Sequence, residues 1–191
     1  MITPFLNHYS SLKRLQINYC ENISFDDFIT ILKRNPQIKK LSFSADYLVN
    51  NQFVIFEYIN QLSSLHITKG NLEIPEISFF LQNLKEVIIE AKLSNNSFFN
   101  VVRSNQHLVE IYFHIELPQE VYQEILNLKY IKIISFRSVN PRWVRRLSKI
   151  PTIERLTWIK KPSIGYIVSI ISRACINYNM QYIKGKFSII F

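Results

Sequence analysis

A short apolar pattern returns along almost the whole chain, and it constrains the fold more than any other feature. Written apolar-x-x-apolar-x-apolar, it reads Leu12-Leu15-Ile17, Ile38-Leu41-Phe43, Leu62-Leu65-Ile67, Leu84-Val87-Ile89, Leu108-Ile111-Phe113, Leu128-Ile131-Ile133 and Ile153-Leu156-Trp158. A weaker eighth copy is Met180-Ile183-Gly185. Successive copies start 26, 24, 22, 24, 20, 25 and 27 residues apart. A near-constant period of this length marks stacked supersecondary units, each unable to bury its apolar face alone.

Within a unit the two halves have different periods. The apolar alternation of the first half suits a short strand, whose successive side chains point to opposite faces. The second half carries apolar residues three and four apart, the stripe of an amphipathic helix. Examples are Phe25, Phe28, Ile29 and Leu32; Phe53, Phe56 and Ile59; Phe98, Phe99 and Val102; Val121, Tyr122 and Ile125; and Trp143, Val144 and Leu147. Ser24, Asn51, Asn96 and Asn140-Pro141 precede these stripes as helix starts. Asn35-Pro36, Ser104-Asn105 and Ile150-Pro151 mark returns to the next strand. No linker separates the units. The expectation is one domain over residues 1–191, with about seven repeats starting near 12, 38, 62, 84, 108, 128 and 153. Residues 1–11 are expected to form a partial cap, and a terminal strand lies near 180–191.

The first repeat reads Leu12-x-x-Leu15-x-Ile17-x-x-Cys20-x-x-Ile23-Ser24-x-Asp26-x-Phe28, then Leu32, Pro36, Ile38 and Leu41. It resembles the cysteine-containing leucine-rich repeats of F-box/leucine-rich-repeat proteins. The resemblance departs at Asn35-Pro36, where that family has Cys-Pro, and Cys20 is replaced in later repeats by Asp46, Gly70, Lys92, Glu116, Phe136 and Lys161. It implies an α/β fold, a right-handed leucine-rich-repeat solenoid or horseshoe, with short parallel strands on the concave side and helices on the convex side. It also implies substrate reception for a ubiquitin ligase. An F-box-like run, Leu117-Pro118 through Ile125-Leu126 and on to Arg142-Trp143, also sits in repeat register, with Val121 and Ile125 in one helix and Trp143 in the next.

Composition narrows the function classes. With 48% hydrophobic residues among 191, the chain can fill a sizeable core. Three glycines leave little room for a glycine-rich phosphate loop. Cys20 and Cys175 form neither a disulfide framework nor a metal-ligand spacing, so a cytoplasmic or nuclear setting is expected. The start shows no signal-peptide pattern, and Pro162 to Ser172 is too short to span a bilayer. The formal charge of +9 admits a nucleic acid or an anionic membrane surface as partner. It equally fits a chain rich in Ile, Asn and Lys by compositional bias.

Alternation predicts which side chains the strands offer outward. A central column of Gln16, Ser42, His66, Ile88, Tyr112, Lys132, Thr157 and Lys184 is expected, preceded by Arg14, Lys40, Ser64, Glu86, Glu110, Tyr130, Arg155 and Tyr182. A third column includes Asn18, Ser44, Thr68, Glu90 and His114. From these we select Arg14, Lys40, His66, Glu86, Glu90, Glu110, Tyr112, His114, Tyr130, Lys132 and Arg155 as a face for a protein partner. Its charges run basic, acidic, basic, and tyrosines serve as amphipathic anchors. The competing reading is an ordinary solvated sheet face. His66 and His114 are too scattered for a metal site, and no nucleophile–base arrangement is recognisable. A monomeric, non-enzymatic interaction scaffold without cofactor is expected. The alternative is a nucleic-acid or anionic-surface module using Arg142, Arg145 and Arg146 on the outer side of a helix.

Overall fold

The repeat fixes which strand residues go inside, and the strands follow from that. A computed structural model describes residues 12–17, 23–49, 52–70, 76–114, 117–137, 141–158, 179–183 and 186–190. Cys20, Asn18, Asn51, Glu116, Asn140, Lys161, Cys175 and Lys184 lie outside the described residues. The chain is α/β and divides into two compact units, 1–105 and 106–191.

In the first unit the strands are β1 (Arg14–Ile17), β2 (Lys40–Ser44), β3 (Ser64–Thr68) and β4 (Glu86–Ile89). They pair in sequence order and all parallel. Leu15, Leu41, Leu65 and Val87 fall in one register row, and Ile17, Phe43, Ile67 and Ile89 in another; all eight are buried. Each fully buried side chain of this kind contributes about 1.5–3 kcal/mol. Between the strands run α1 (Phe25–Arg34), a 3-10 turn (Ala45–Leu48) and α2 (Gln52–Glu57); α3 (Asn95–Ser104) follows β4. Phe28 of α1 packs on Phe43 of β2 and on Tyr47, with ring centroids 5.5 and 4.8 Å apart, so the helical layer covers one face of the sheet.

A backbone device recurs one residue after the first apolar position in five of the repeats. The Lys13 carbonyl accepts from the Lys39 and Lys40 amides, Lys39 from Ser63 and Ser64, and Ser63 from Lys85 and Glu86, all at 2.8–3.1 Å. In the second unit Val109 accepts from Lys132 and Ile133, and Lys132 from Glu154 and Arg155. The recurrence pins these strand starts to the strands before them.

Helix starts obey local chemistry. Ser24 caps α1: its Oγ accepts from the Asp27 amide, and the Asp27 carboxylate reaches back to the Ser24 amide. The α3 cap is Ser94, whose Oγ accepts from Ser97, rather than the expected Asn96. Asn96 is instead the second residue of the helix. The third repeat also differs from the strand–helix plan. Its residues 76–81 form neither helix nor strand, and Ile77, Phe79 and Leu81 are buried in alternation. Ile77 donates to Ser97 Oγ at 2.9 Å and Leu81 to Asn105 Oδ1 at 3.0 Å, so α3 satisfies backbone groups that a helix would have satisfied internally.

In the second unit β5 (Glu110–Phe113), β6 (Ile133–Phe136) and β7 (Arg155–Trp158) are parallel, with α4 (Gln119–Leu126) and α5 (Pro141–Leu147) between them. Val121 and Ile125 of α4 and Trp143 of α5 are buried, as the repeat register requires. Tyr122 stacks on Trp143 at 5.0 Å and lies 5.5 Å from Phe136. The sixth repeat is shifted by three residues from its expected place. Ile131, Ile134 and Phe136 take the buried positions, and Ile133 is left half-exposed. Starts at Leu108, Ile131 and Ile153 are then 23 and 22 residues apart, more even than the expected 20 and 25.

The end of the chain is a hairpin rather than one terminal strand. β8 (Asn179–Ile183) pairs antiparallel with β9 (Lys186–Ile190), and β9 pairs antiparallel with β7. Met180 and Ile183 therefore do not add an eighth parallel repeat beside β7.

Candidate interaction face

The side of the first unit's sheet opposite the buried Leu and Ile rows carries two aligned rows of side chains. One runs Arg14, Lys40, Ser64, Glu86; the next runs Gln16, Ser42, His66, Ile88. Both match the expected columns. They are adjacent because parallel strands in register place equivalent repeat positions about 4.8 Å apart. Arg14, Lys40 and Gln16 are exposed, whereas Glu86, His66 and Ile88 are half-buried.

Charge sorts across this face. Lys13, Arg14, Lys39 and Lys40 sit at the starts of β1 and β2, all exposed. Glu86 and Glu90 sit at either end of β4. The Glu86 carboxylate accepts from Ser64 Oγ at 2.6 Å. His66 Nε2 lies 3.2 Å from Glu90 Oε1, within ion-pair reach, and the Glu90 amide donates to the Ile67 carbonyl. The acidic side is thus held by neighbouring side chains, whereas Arg14 and Lys40 on the basic side are exposed and Lys39 Nζ donates to the Gln61 carbonyl at 3.4 Å.

The end of this face is shaped by a close approach. Ser44 accepts from the Asp46 amide and donates to its carboxylate, which fixes the turn after β2. An added Cβ at Gly70 would lie 2.6 Å from Asp46 Oδ1 and 2.8 Å from the Asp46 backbone nitrogen. Glycine is needed there because no side chain fits.

In the second unit the rows are Glu110, Ile133, Arg155 and Tyr112, Ser135, Thr157. Tyr112 donates to the Glu110 carboxylate at 2.8 Å, as neighbours two apart on a strand can. His114 follows β5, half-buried. Two expected members of the face are not on a strand. Tyr130 and Lys132 precede β6, because Ile134 and Phe136, rather than Ile131 and Ile133, occupy the strand's inward positions. Ser135 takes the central place assigned to Lys132, and Ile133 the place assigned to Tyr130. Tyr130 is 59% exposed, and Lys132 pairs with Glu154 at 2.6 Å. The arginine stripe is on α5: Arg142, Arg145 and Arg146 are exposed, opposite buried Trp143, Val144 and Leu147. Arg146 stacks over the Trp143 ring at 4.9 Å.

Among the described residues no three His, Cys, Asp or Glu side chains come together as a metal site. None of their helices is long and apolar enough to cross a membrane. No protein-family model matches the sequence, and no curated protein matches it either.

Proposed function

We propose that the chain is a non-enzymatic protein-interaction scaffold of the leucine-rich-repeat solenoid type. The observation that carries this reading is the charge order across the first unit's outward face. Cations on β1 and β2 stand against Glu86 and Glu90 at the two ends of β4, with His66 of β3 between them. A face with both signs in fixed places selects a partner by charge register, whereas a uniform polyanion would meet repulsion at Glu86 and Glu90. Ile88, half-buried on β4 between Glu86 and Glu90, supplies apolar contact beside the carboxylates. The resemblance of the first repeat to F-box/leucine-rich-repeat proteins supports one particular role, substrate reception for a ubiquitin ligase.

Affinity capture from cell lysate, with proteins and nucleic acids both recovered, tests the reading. The comparison is between the wild type and the Glu86→Lys/Glu90→Lys variant, whose fold is checked by circular dichroism. Proteins captured by the wild type and lost from the variant support the scaffold. A cullin-linked adaptor among the captured proteins supports the ligase role. An identical protein set from both, or nucleic acid alone, contradicts it.

A further inference from the structure

A groove of about 490 Å³ opens in the second unit where α4 and α5 end. Lys129, Arg146 and Lys149 line it, with Thr152 and the apolar Leu126 and Ile150. We propose that this groove binds a phosphate ester carrying a compact apolar group. The assignment is independent of the protein-interaction reading, which concerns strand residues elsewhere.

Four observations converge. First, three cations from two segments, Lys129 after α4 and Arg146 with Lys149 at the end of α5, meet at one concavity, and no carboxylate lines it. Among the described residues, none of the three is ion-paired. Second, the helix ends do not need these cations as donors. The Glu124 and Ile125 carbonyls accept from the Asn127 and Leu128 amides, and the Arg146 and Leu147 carbonyls from Lys149 and Ile150. Third, Thr152 Oγ1 is buried without a hydrogen-bond partner. A buried hydroxyl without a partner is costly, and rotation of the Thr152 side chain towards the groove would let a ligand oxygen satisfy it. Fourth, Arg146 lies over the Trp143 ring, which orients the guanidinium plane and leaves its edge N–H groups for a ligand.

The ligand class follows from the donors. A phosphate monoester offers about −1.5 to −2 charge and three acceptor oxygens, matching three cations and a hydroxyl. The volume lies in the range of small-molecule pockets, about 300–1,000 Å³, and exceeds the need of a bare phosphate. Leu126 and Ile150 would take the organic part.

Calorimetric titration of the full chain with phenyl phosphate, and separately with phenol and inorganic phosphate, tests the site. The expected result is saturable binding of phenyl phosphate, about tenfold or more tighter than either control. Lys129→Gln and Lys149→Gln, exposed changes that leave the core intact, should each weaken it by about three- to tenfold. No saturable binding, equal binding of phenol, or affinity unchanged in both lysine variants would overturn the proposal. Inorganic phosphate bound as tightly as phenyl phosphate would overturn the ester assignment.

Discussion

Asn105 Nδ2 donates to the Phe79 carbonyl at 2.9 Å, across 26 residues of sequence. The same carboxamide also donates to Val101 and accepts from the Leu81 amide, so one fully buried side chain closes α3 and anchors the segment before β4. Asn35 occupies the equivalent end of α1 and donates to Ile31 there.

Asn105→Ala should therefore destabilise the protein by about 3–5 kcal/mol, because it orphans buried backbone groups on two elements. Asn35→Ala removes fewer such bonds and should cost about 1–2 kcal/mol. Chemical denaturation of both variants checks the order; equal losses would contradict this account of Asn105.

The register of the sixth repeat makes an opposite pair of predictions. Ile134→Ala opens a cavity in the buried layer and should cost about 2–5 kcal/mol. Ile133→Ala, at a half-exposed position, should cost about 1 kcal/mol or less. The reverse order in urea unfolding would restore the register expected from Leu128-Ile131-Ile133.

Gly70→Ala should destabilise by about 1–3 kcal/mol through overpacking against Asp46. Adding Asp46→Ala should recover only part of the loss, since the backbone nitrogen of residue 46 remains 2.8 Å from the new Cβ. Thermal unfolding of the single and double variants distinguishes full from partial recovery.

Ser24→Ala removes the hydroxyl that accepts from the Asp27 amide, leaving the residue-24 amide on the Asp27 carboxylate, and should cost about 1 kcal/mol. Ser24→Asp, which keeps an acceptor at the cap, should cost less. Equal losses in the two variants would show that the cap bond contributes nothing.

Much of this architecture is legible in the residues. Leu15, Leu41, Leu65 and Val87 recur at equivalent repeat positions and so announce strands that bury the same row of side chains. The same alternation placed Arg14, Lys40 and Glu86 in one row and His66 beside Ile88. The run Ile131-Lys132-Ile133-Ile134-Ser135-Phe136 misled because it satisfies the apolar pattern in two registers; only the requirement to bury Phe136 decides between them. Tyr130 and Lys132 were lost from the face for that reason. Strand direction is not written in alternation at all, so the β8–β9 hairpin resembled another parallel copy. The groove of Lys129, Arg146 and Lys149 was hidden because two of its cations sit at helix ends that only packing brings together.

On the proposed function, the outward strand face of the first unit docks a protein. Site-specific photo-cross-linking tests it most directly, with a photoreactive side chain placed at Ile88 in one variant and at Arg142 in another. A discrete protein adduct is expected from position 88 that Glu86→Lys/Glu90→Lys abolishes, and none from position 142. Adducts from position 142 alone, or adducts to nucleic acid at either position, would contradict it.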